Sequence, residues 1–210
     1  MYLATTTRPD IAAAINILCR SVEKPCQRDW KAVKDVMRYL KQSIHLKLKM
    51  SADSKPDLIG YVDADWAGDT VDRKSTSGYL FQLGDSPISW SSRKQMSVAL
   101  SSTEAEYVAA AYASQETVWL RQLLSDLGEP ATGATRMYED NQGCIKLATS
   151  ERINARTKHI DIRHHHLRDL VENGIIELEY CETDKMIADA MTKPLPAPKF
   201  KELRSKMGII

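Results

Sequence analysis

The segment Leu-Ile-Gly-Tyr-Val-Asp-Ala-Asp-Trp-Ala-Gly, residues 58–68, combines the pattern of a strand with two closely spaced carboxylates. Its first half is apolar and β-branched, which is typical of a buried strand. Asp63 and Asp65 are two residues apart, and on a strand this spacing places both side chains on one face. A carboxylate in a buried strand is unfavourable unless a cation or a hydrogen-bond donor compensates it. The segment alone therefore leaves two interpretations open, an ordinary strand end with a turn at Asp65 or part of a charged site.

The bulk composition is that of an ordinary globular protein. The chain has 210 residues, of which 43% are hydrophobic and 27% are charged, and this length suffices for one well-packed domain. The formal net charge is only +1, so a surface that binds nucleic acid must be local. The sequence shows no membrane-length apolar run, no signal-peptide pattern and no metal-type cysteine spacing. We therefore expect an intracellular protein, cytoplasmic or nuclear and not secreted, with reduced thiols.

The periodicity along the chain predicts a mixed α/β fold. Apolar residues at helical spacing predict two helices within the first 44 residues, and a long helix is predicted at about 104–127. A last helix is predicted near 185–191, followed by a short one at 199–207. Strands before and after the long helix favour a mixed sheet with helices packed on it. The predicted strands are 46–50, the segment quoted above, 77–83, 87–92, 135–138 and 175–181.

Four carboxylates fall at the ends of predicted elements. They are Asp63 on the quoted strand, Glu106 in the first turn of the long helix, Asp140 after the strand at 135–138, and Asp189 on the last predicted helix. Strand ends and helix starts are where open α/β sheets form sites. Carboxylates that meet at one point persist when a divalent cation neutralises them, and hard oxygen ligands suit Mg²⁺ or Mn²⁺. Two such ions about 3.5–4 Å apart can activate water and stabilise the leaving oxygen of a phosphodiester.

Three of these acids also have an ordinary structural interpretation. Glu106 follows Thr103 by three residues and could complete a capping box. Asp140 could cap the next helix, and Asp189 could be a solvated helix residue. The coincidence of all four acids with the element order favours a shared metal site.

A resemblance to a known family rests on motifs spread over nearly the whole chain. The motifs are Tyr-Val-Asp-Ala-Asp-Trp-Ala-Gly (61–68), Asp-Arg-Lys-Ser-Thr-Ser-Gly-Tyr (72–79), Ile-Ser-Trp-Ser-Ser-Arg-Lys-Gln (88–95), Ala-Leu-Ser-Ser-Thr-Glu-Ala-Glu-Tyr (99–107), Glu-Asp-Asn-Gln (139–142), Lys-His-Ile-Asp-Ile-Arg-His-His (158–165) and Ala-Asp-Ala-Met-Thr-Lys-Pro-Leu (188–195). With these motifs the chain resembles the ribonuclease H domain of copia-type retrotransposon Pol polyproteins. Residues 1–50 resemble the end of the reverse transcriptase region, and the sequence shows no polymerase active-site motif, so the chain resembles a C-terminal fragment of such a polyprotein.

The resemblance implies a fold and a division of the chain. The fold is a ribonuclease H-like α/β arrangement, with a mixed five-stranded sheet and flanking helices preceded by a short helical segment. Residues 1–50 would form that helical segment, residues 51–195 the ribonuclease H-like domain, and residues 196–210 a C-terminal tail.

The resemblance also implies a reaction and a set of site residues. The reaction is two-metal hydrolysis of the RNA strand of an RNA–DNA hybrid during reverse transcription, with Mg²⁺ or Mn²⁺ as cofactor. The family's catalytic and metal-binding acids fall on Asp63, Glu106, Asp140 and Asp189, which makes Asp65 a neighbour of the site. The implied partners are the hybrid and the reverse transcriptase portion of the same polyprotein, with no membrane. Two other functions remain open: a catalytically silent hybrid-binding or assembly module, as in a truncated or repurposed retroelement remnant, and transfer chemistry on DNA, against which the motif details argue.

Basic residues between the fourth and fifth core strands predict a surface for the phosphates of a hybrid. A solvated basic helix is the alternative. Asn141 and Ser91 could donate hydrogen bonds to sugar hydroxyls or phosphates, although ordinary cap and strand polarity explains them equally well. The basic candidates are Arg152, Arg156, Lys158, His159 and Arg163, and Arg168 adds to the same concentration of positive charge.

Overall fold

A computed structural model describes residues 1–51, 55–150 and 165–210 of the chain. The strands in the described residues are β1 Leu58–Asp65, β2 Thr76–Leu83, β3 Ser86–Lys94, β4 Thr135–Glu139 and β5 Ile176–Tyr180. The α-helices there are α1 Tyr2–Thr6, α2 Ala12–Cys19, α3 Gln27–Gln42, α4 Ser102–Asp126, α5 Gln142–Thr149, α6 His165–Glu172, α7 Asp189–Thr192 and α8 Ala197–Lys206. Single turns of 3₁₀ helix occur at Pro9–Ile11 and Thr183–Lys185.

The strands form one mixed sheet in the order β3-β2-β1-β4-β5. β1, β2 and β3 are antiparallel neighbours, and β4 continues the sheet parallel to β1, with β5 parallel to β4. Gly84 takes a left-handed conformation (φ 58°) in the tight turn between β2 and β3, which a residue without Cβ adopts at little cost. The predicted architecture, a mixed five-stranded α/β sheet with flanking helices after a helical segment, is confirmed.

The main core lies between the sheet and α4. α4 presents a face of alanines, including Ala105, Ala109 and Ala113, that are almost completely buried. Such small side chains let the helix axis approach the sheet closely, so that it packs on Val62 and Phe81. Because α4 starts at the edge where β1 ends, its first turns lie next to the end of that strand.

The second face of the sheet is covered by the two ends of the chain. Leu80 on this face belongs to a buried cluster with Met191 and Leu203, which come from α7 and α8. The N-terminal segment crosses β3: Trp90 Nε1 donates to the carbonyl of Ala4 over 2.7 Å, and Asn16 Nδ2 donates to the carbonyl of Ser92 over 2.8 Å. The N-terminal helices are therefore part of the packing that covers this sheet.

A buried polar network attaches α3 to the N-terminal segment. Arg8 donates two hydrogen bonds to the carboxylate of Asp10, over 2.9 and 2.8 Å, and a third to Ser43. The Tyr39 hydroxyl donates to the same Asp10 carboxylate over 2.6 Å. Each of these polar groups has a partner, which offsets much of the desolvation cost of burying an ion pair.

Two predicted elements differ from the structure. The strand predicted at 46–50 is reduced to one bridge between Leu48 and Ile209, because its neighbour is the C-terminal end of the chain rather than a strand of the sheet. The helix predicted near 185–191 starts only at Asp189, and Met186 and Ile187 before it are buried in a loop. Among the described residues, none of the helices combines the length and apolar character that a membrane crossing requires.

Candidate active site

Three of the four predicted acids meet at one edge of the sheet. Asp63, Glu106 and Asp140 each contribute a carboxylate oxygen, and these three oxygens lie within 4.8 Å of one another. β1 and β4 are adjacent and parallel, so their C-terminal ends bring Asp63 and Asp140 to the same place. Glu106 joins them from the start of α4, and both it and Asp63 are buried.

The start of α4 is capped without Glu106. Ser101 is the N-cap, and its side chain accepts a hydrogen bond from the amide of Glu104 over 3.1 Å. Glu104 in turn accepts from the amide of Leu100 over 2.8 Å. This exchange performs the capping role that the sequence left open for Glu106, whose side chain points into the acidic group instead.

The start of α5 is capped without Asp140. Asn141 is the N-cap, and its side-chain oxygen accepts from the amide of Cys144 over 3.0 Å. Asp140 accepts a hydrogen bond from the hydroxyl of Thr183 over 2.8 Å, in the loop that precedes α7. The ordinary helix-cap interpretation of Asp140 is therefore wrong.

Asp189 is the first residue of α7 and is buried, so it is not a solvated helix residue. Its Oδ1 lies 2.8 Å from the Nζ of Lys193, which also lies 3.7 Å from Oδ2 of Asp63. The Thr192 hydroxyl donates to Asp63 Oδ2. Lys193 and Thr192 thus connect the fourth acid to the other three. The sequence analysis missed both residues, although the spacing of four between Asp189 and Lys193 is typical of a helical ion pair.

A glycine on β2 allows α7 to reach Asp63. Gly78 is directly opposite Asp63 in the register of β1 and β2. A Cβ atom at this position would lie 2.5 Å from Cβ of Met191 and 2.7 Å from Cγ2 of Thr192. The missing side chain therefore lets α7 pack on the sheet at the level of Asp63, which brings Asp189 into the site.

Glu139 is a further buried acid, and the sequence analysis did not assign it to the site. Its Oε1 accepts from the amide of Asn141 over 3.0 Å. Within the described part of the chain, Oε2 of Glu139 and Oε2 of Glu106 have no hydrogen-bond partner. Its charge is one of the causes of the raised pKa of Glu106, so Glu139 lies close to the acidic group. In the sequence, Glu139 stands directly before Asp140 at the end of a predicted strand, and this adjacency was the signal that could have assigned Glu139 to the site.

Burial dominates the electrostatics of these acids. It raises the pKa of Asp63 to about 6, with Lys193 lowering and Asp189 raising that value. Burial and the charges of Glu139 and Asp63 raise the pKa of Glu106 still further. Without a cation, Glu106 thus tends to retain its proton at neutral pH. Three convergent carboxylate oxygens, one of them from a side chain with an unpartnered buried atom, fit a hard divalent ion.

The residues predicted to contact nucleic acid do not all lie near the acids. Asn141 lies next to the acids but is engaged as the cap of α5. Ser91 forms a hydrogen bond with Tyr79 on β2, and Tyr79 also bonds Glu116 on α4. At the rise per residue of an α-helix, Glu116 lies about 15 Å from Glu106 along α4. The structure thus places Ser91 away from the acids. The basic candidates Arg152, Arg156, Lys158, His159 and Arg163 lie outside the described residues.

Known proteins and solved structures are similar to this chain. No family model matches the chain. The N-terminal ribonuclease H domain of Rv2228c from Mycobacterium tuberculosis superposes with a TM-score of 0.48 and 12% identity, over 72% of this chain and 98% of that one. A secreted RxLR effector, protein 161 of Plasmopara viticola, is 51% identical over 120 residues, which are 57% of this chain and 84% of that protein.

Several retrotransposon Pol polyproteins match nearly the whole of this chain. The retrovirus-related Pol polyprotein from transposon TNT 1-94 of Nicotiana tabacum is 41% identical over 209 residues, which are 100% of this chain. The chain spans 16% of the length of that polyprotein. This identity along the whole sequence shows that the chain belongs to the family of copia-type, retrovirus-related Pol polyproteins.

Proposed function

We propose that the chain is a metal-dependent ribonuclease H that hydrolyses the RNA strand of RNA–DNA hybrids during retrotransposon reverse transcription. The observation that carries this proposal is the convergence of Asp63, Glu106 and Asp140 within 4.8 Å at the end of the parallel strands. Membership of the Pol polyprotein family supports it, because the reverse transcription of such an element produces hybrids. The reaction would take place inside the cell, in the cytoplasm or the nucleus.

The four acids would divide between two metal ions. Asp63, Glu106 and Asp140 would hold one Mg²⁺ or Mn²⁺ ion, and Asp189 would hold a second together with Asp63. When bound, such ions supply an activated water and stabilise the oxygen that leaves the phosphodiester. The hydrogen bond from Thr192 fixes the orientation of Asp63, and burial of Asp63 and Glu106 keeps bulk water from one side of the site.

The proposed partners follow from the same site. The hybrid would lie across the edge where the acids meet, with its phosphates reaching the basic segment between residues 152 and 163. The reverse transcriptase portion of the same polyprotein would supply the hybrid.

Cleavage of an end-labelled RNA–DNA hybrid tests the proposal. We expect the wild-type chain to cut only the RNA strand, and only with Mg²⁺ or Mn²⁺ present. Asp63→Asn should lower the rate at least ~100-fold, since a ligand matters more than the supporting residues whose loss costs 10–100-fold. Asp65→Asn is the matched control, because it removes the same charge from the same strand outside the convergent group, and it should retain activity.

A second candidate function is a silent hybrid-binding or assembly module. The effector of Plasmopara viticola favours this alternative. It is named for a role other than nuclease activity, and it is 51% identical to this chain over 120 residues. Hybrid binding without cleavage by the wild-type chain would support the module. Equal cleavage by the wild-type and Asp63→Asn chains would contradict the proposed nuclease site.

A further inference from the structure

A cavity lies between the second face of the sheet and the C-terminal end of the chain. Its volume is about 790 Å³, which is within the range of small-ligand sites. Tyr61 of β1 and Tyr138 of β4 line it from the sheet, and Lys206 and Gly208 line it from the end of α8 and the segment that follows. Among its lining residues in the described ranges, none is one of the four acids, so the cavity is separate from the candidate active site.

The sheet side of the cavity is aromatic. Tyr61 and Tyr138 are partners in the parallel register of β1 and β4, and their rings stack with centroids 5.2 Å apart. Both side chains are only half-buried, and Tyr180 at the end of β5, which is 51% exposed, also lines the cavity. Accessible aromatic rings of this kind are the surfaces on which proteins stack unpaired bases.

The opposite wall of the cavity is basic and is fixed to the sheet. Lys49 and Lys206 line this wall with exposed side chains. The amide of Lys49 donates to the carbonyl of Gly208 over 2.8 Å, and the side-chain amide of Gln82 donates to the carbonyl of Lys206 over 2.9 Å. Lys206 pairs with Glu202 over 2.6 Å, whereas the ammonium of Lys49 forms no ion pair with any described residue. Lys49 is therefore available to an anionic ligand.

Two acids also border the cavity. Glu182 pairs with Lys185 over 2.9 Å, which compensates its charge, and Asp85 lies exposed in the turn between β2 and β3. Among the lining side chains of the described residues, three lysines outnumber these two acids. An excess of positive charge beside aromatic rings suits a ligand that carries both a phosphate and a planar base.

The cavity lies close to the acidic group on the same side of the sheet. Tyr61 and Asp63 are two residues apart on β1, so their side chains point to one face and lie about 7 Å apart along the strand. The hydroxyl of Thr183 donates to Asp140, and the turn that contains Thr183 also lines the cavity. The end of a strand that leaves the acids would therefore reach the cavity over a short distance.

We propose that this cavity binds a nucleotide, with its base on the rings of Tyr61 and Tyr138 and its phosphate at Lys49 and Lys206. A free nucleoside phosphate and the end of a single RNA strand offer this same chemistry, whereas the bases of a duplex are already stacked and paired. The site needs no metal ion, and it goes beyond the proposed nuclease function. If its ligand is a strand end, the cavity would hold one end of the RNA that cleavage releases.

Calorimetric titration in the presence of a chelator tests the site, because the chelator removes any binding that a metal ion on the acids would mediate. The probes are AMP and a 5′-phosphorylated tetranucleotide of adenosine. Tyr138→Ala should weaken the binding of both probes about tenfold, as the loss of one stacked base does. Tyr138→Phe keeps the ring and should bind nearly like the wild type.

A charge variant tests the phosphate contact without altering a buried side chain. Lys49→Gln should weaken the binding of both probes and reduce its dependence on salt, since one phosphate contact is lost. Lys31→Gln is the matched control, because Lys31 is an exposed lysine on α3 that does not line the cavity, and it should bind like the wild type.

The two probes also distinguish the sources of the nucleotide. Tighter binding of the tetranucleotide than of AMP would support a strand end, and equal or weaker binding would support a free nucleotide. No binding of either probe up to about 1 mM, or wild-type affinity in both Tyr138→Ala and Lys49→Gln, would overturn the site. A chain that cleaves hybrid but binds neither probe would overturn the cavity site alone, whereas a chain that binds them without cleaving hybrid would overturn only the nuclease proposal.

Discussion

The ammonium of Lys193 lies 2.8 Å from Oδ1 of Asp189 and 3.7 Å from Oδ2 of Asp63, so one side chain bridges two of the four acids. The remaining acids, Glu106 and Asp140, each bring a carboxylate oxygen within 4.8 Å of one of Asp63. Asp63 thus lies near the ammonium of Lys193 and also belongs to the group of three convergent carboxylates. The bridge compensates buried negative charge without a metal ion, and it must rearrange if a second ion is to lie between Asp63 and Asp189.

Lys193→Met should destabilise the metal-free protein, because it leaves Asp189 and Asp63 buried without their cation. We expect a decrease of about 2 kcal/mol in the free energy of unfolding, below the 3–5 kcal/mol of a fully buried pair because Lys193 is partly exposed. Urea denaturation in the presence of a chelator measures this change. Divalent ions should recover more stability in the variant than in the wild type, because no ammonium competes for the acids.

The control for this experiment is Lys185→Met. Lys185 pairs with Glu182 at the surface, where both side chains are more than 60% exposed, and such exposed pairs contribute little to stability. If both variants lose the same stability, Lys193 has no special role in holding the acids together.

The stability of the metal-free protein should fall as the pH rises from about 4 to about 6. Burial raises the pKa of Asp63 from 3.8 to about 6, so in this range the folded state binds a proton that the unfolded state has released. Such a group stabilises the fold below its unfolded pKa, and the contribution is lost as the pH passes the folded value. The raised pKa of Glu106 extends the same trend to higher pH.

Thermal unfolding across this pH range, with a chelator or with Mg²⁺, measures the effect. Divalent ions favour ionised carboxylates, so the rise in Tm on adding Mg²⁺ should be larger at pH 7 than at pH 5. Asp63→Asn should weaken the pH dependence without a metal. A Tm in chelator that increases from pH 4 to pH 6 would contradict the assignment of a raised pKa to Asp63.

Local sequence signals were sufficient to predict where the acids lie. Each acid lies near the start or the end of an element. A strand pattern precedes Asp63, cap residues precede Glu106, and a strand precedes Asp140. Parallel pairing of β1 with β4 then brings these ends together, as open α/β sheets generally do. These positions could be predicted because each residue is fixed by an element with a strong periodic pattern.

The contacts that complete the site depend on tertiary packing. Thr192 and Asp63 are hydrogen-bonded across 129 residues of sequence, and no local pattern specifies that α7 reaches β1. The choice of Glu104 as the capping residue is likewise decided by backbone geometry at Ser101. The alternation at 46–50 predicted a strand, but its one bridge is to Ile209 outside the sheet, and pairing partners cannot be read from periodicity.

Gly78→Ala should disturb the fourth acid specifically. The new Cβ would lie within 2.7 Å of atoms of Met191 and Thr192, which forces α7 away from β2. Overpacking of this kind costs about 1–3 kcal/mol, and displacement of Asp189 should also weaken metal binding and hybrid cleavage. Urea denaturation and calorimetric metal titration measure the two effects. Gly133→Ala is the control, because a Cβ there has open space within 4 Å, and a normal metal affinity in Gly78→Ala would show that α7 tolerates the extra methyl group.

Arg8→Met tests whether the N-terminal helices and the five-stranded sheet unfold together. Arg8 donates two hydrogen bonds to Asp10, whose side chain is completely buried, so loss of the guanidinium should cost about 3–5 kcal/mol. Arg38→Met is the control, because its pair with Asp35 is exposed on both sides and should contribute less than about 1 kcal/mol. We expect one cooperative transition that moves as a whole in Arg8→Met, since Trp90 of the sheet bonds to the backbone of Ala4. Two separate transitions, with only the less stable one affected, would instead mean that residues 1–50 and 51–195 fold independently, and the boundary predicted between them would then be a true domain boundary.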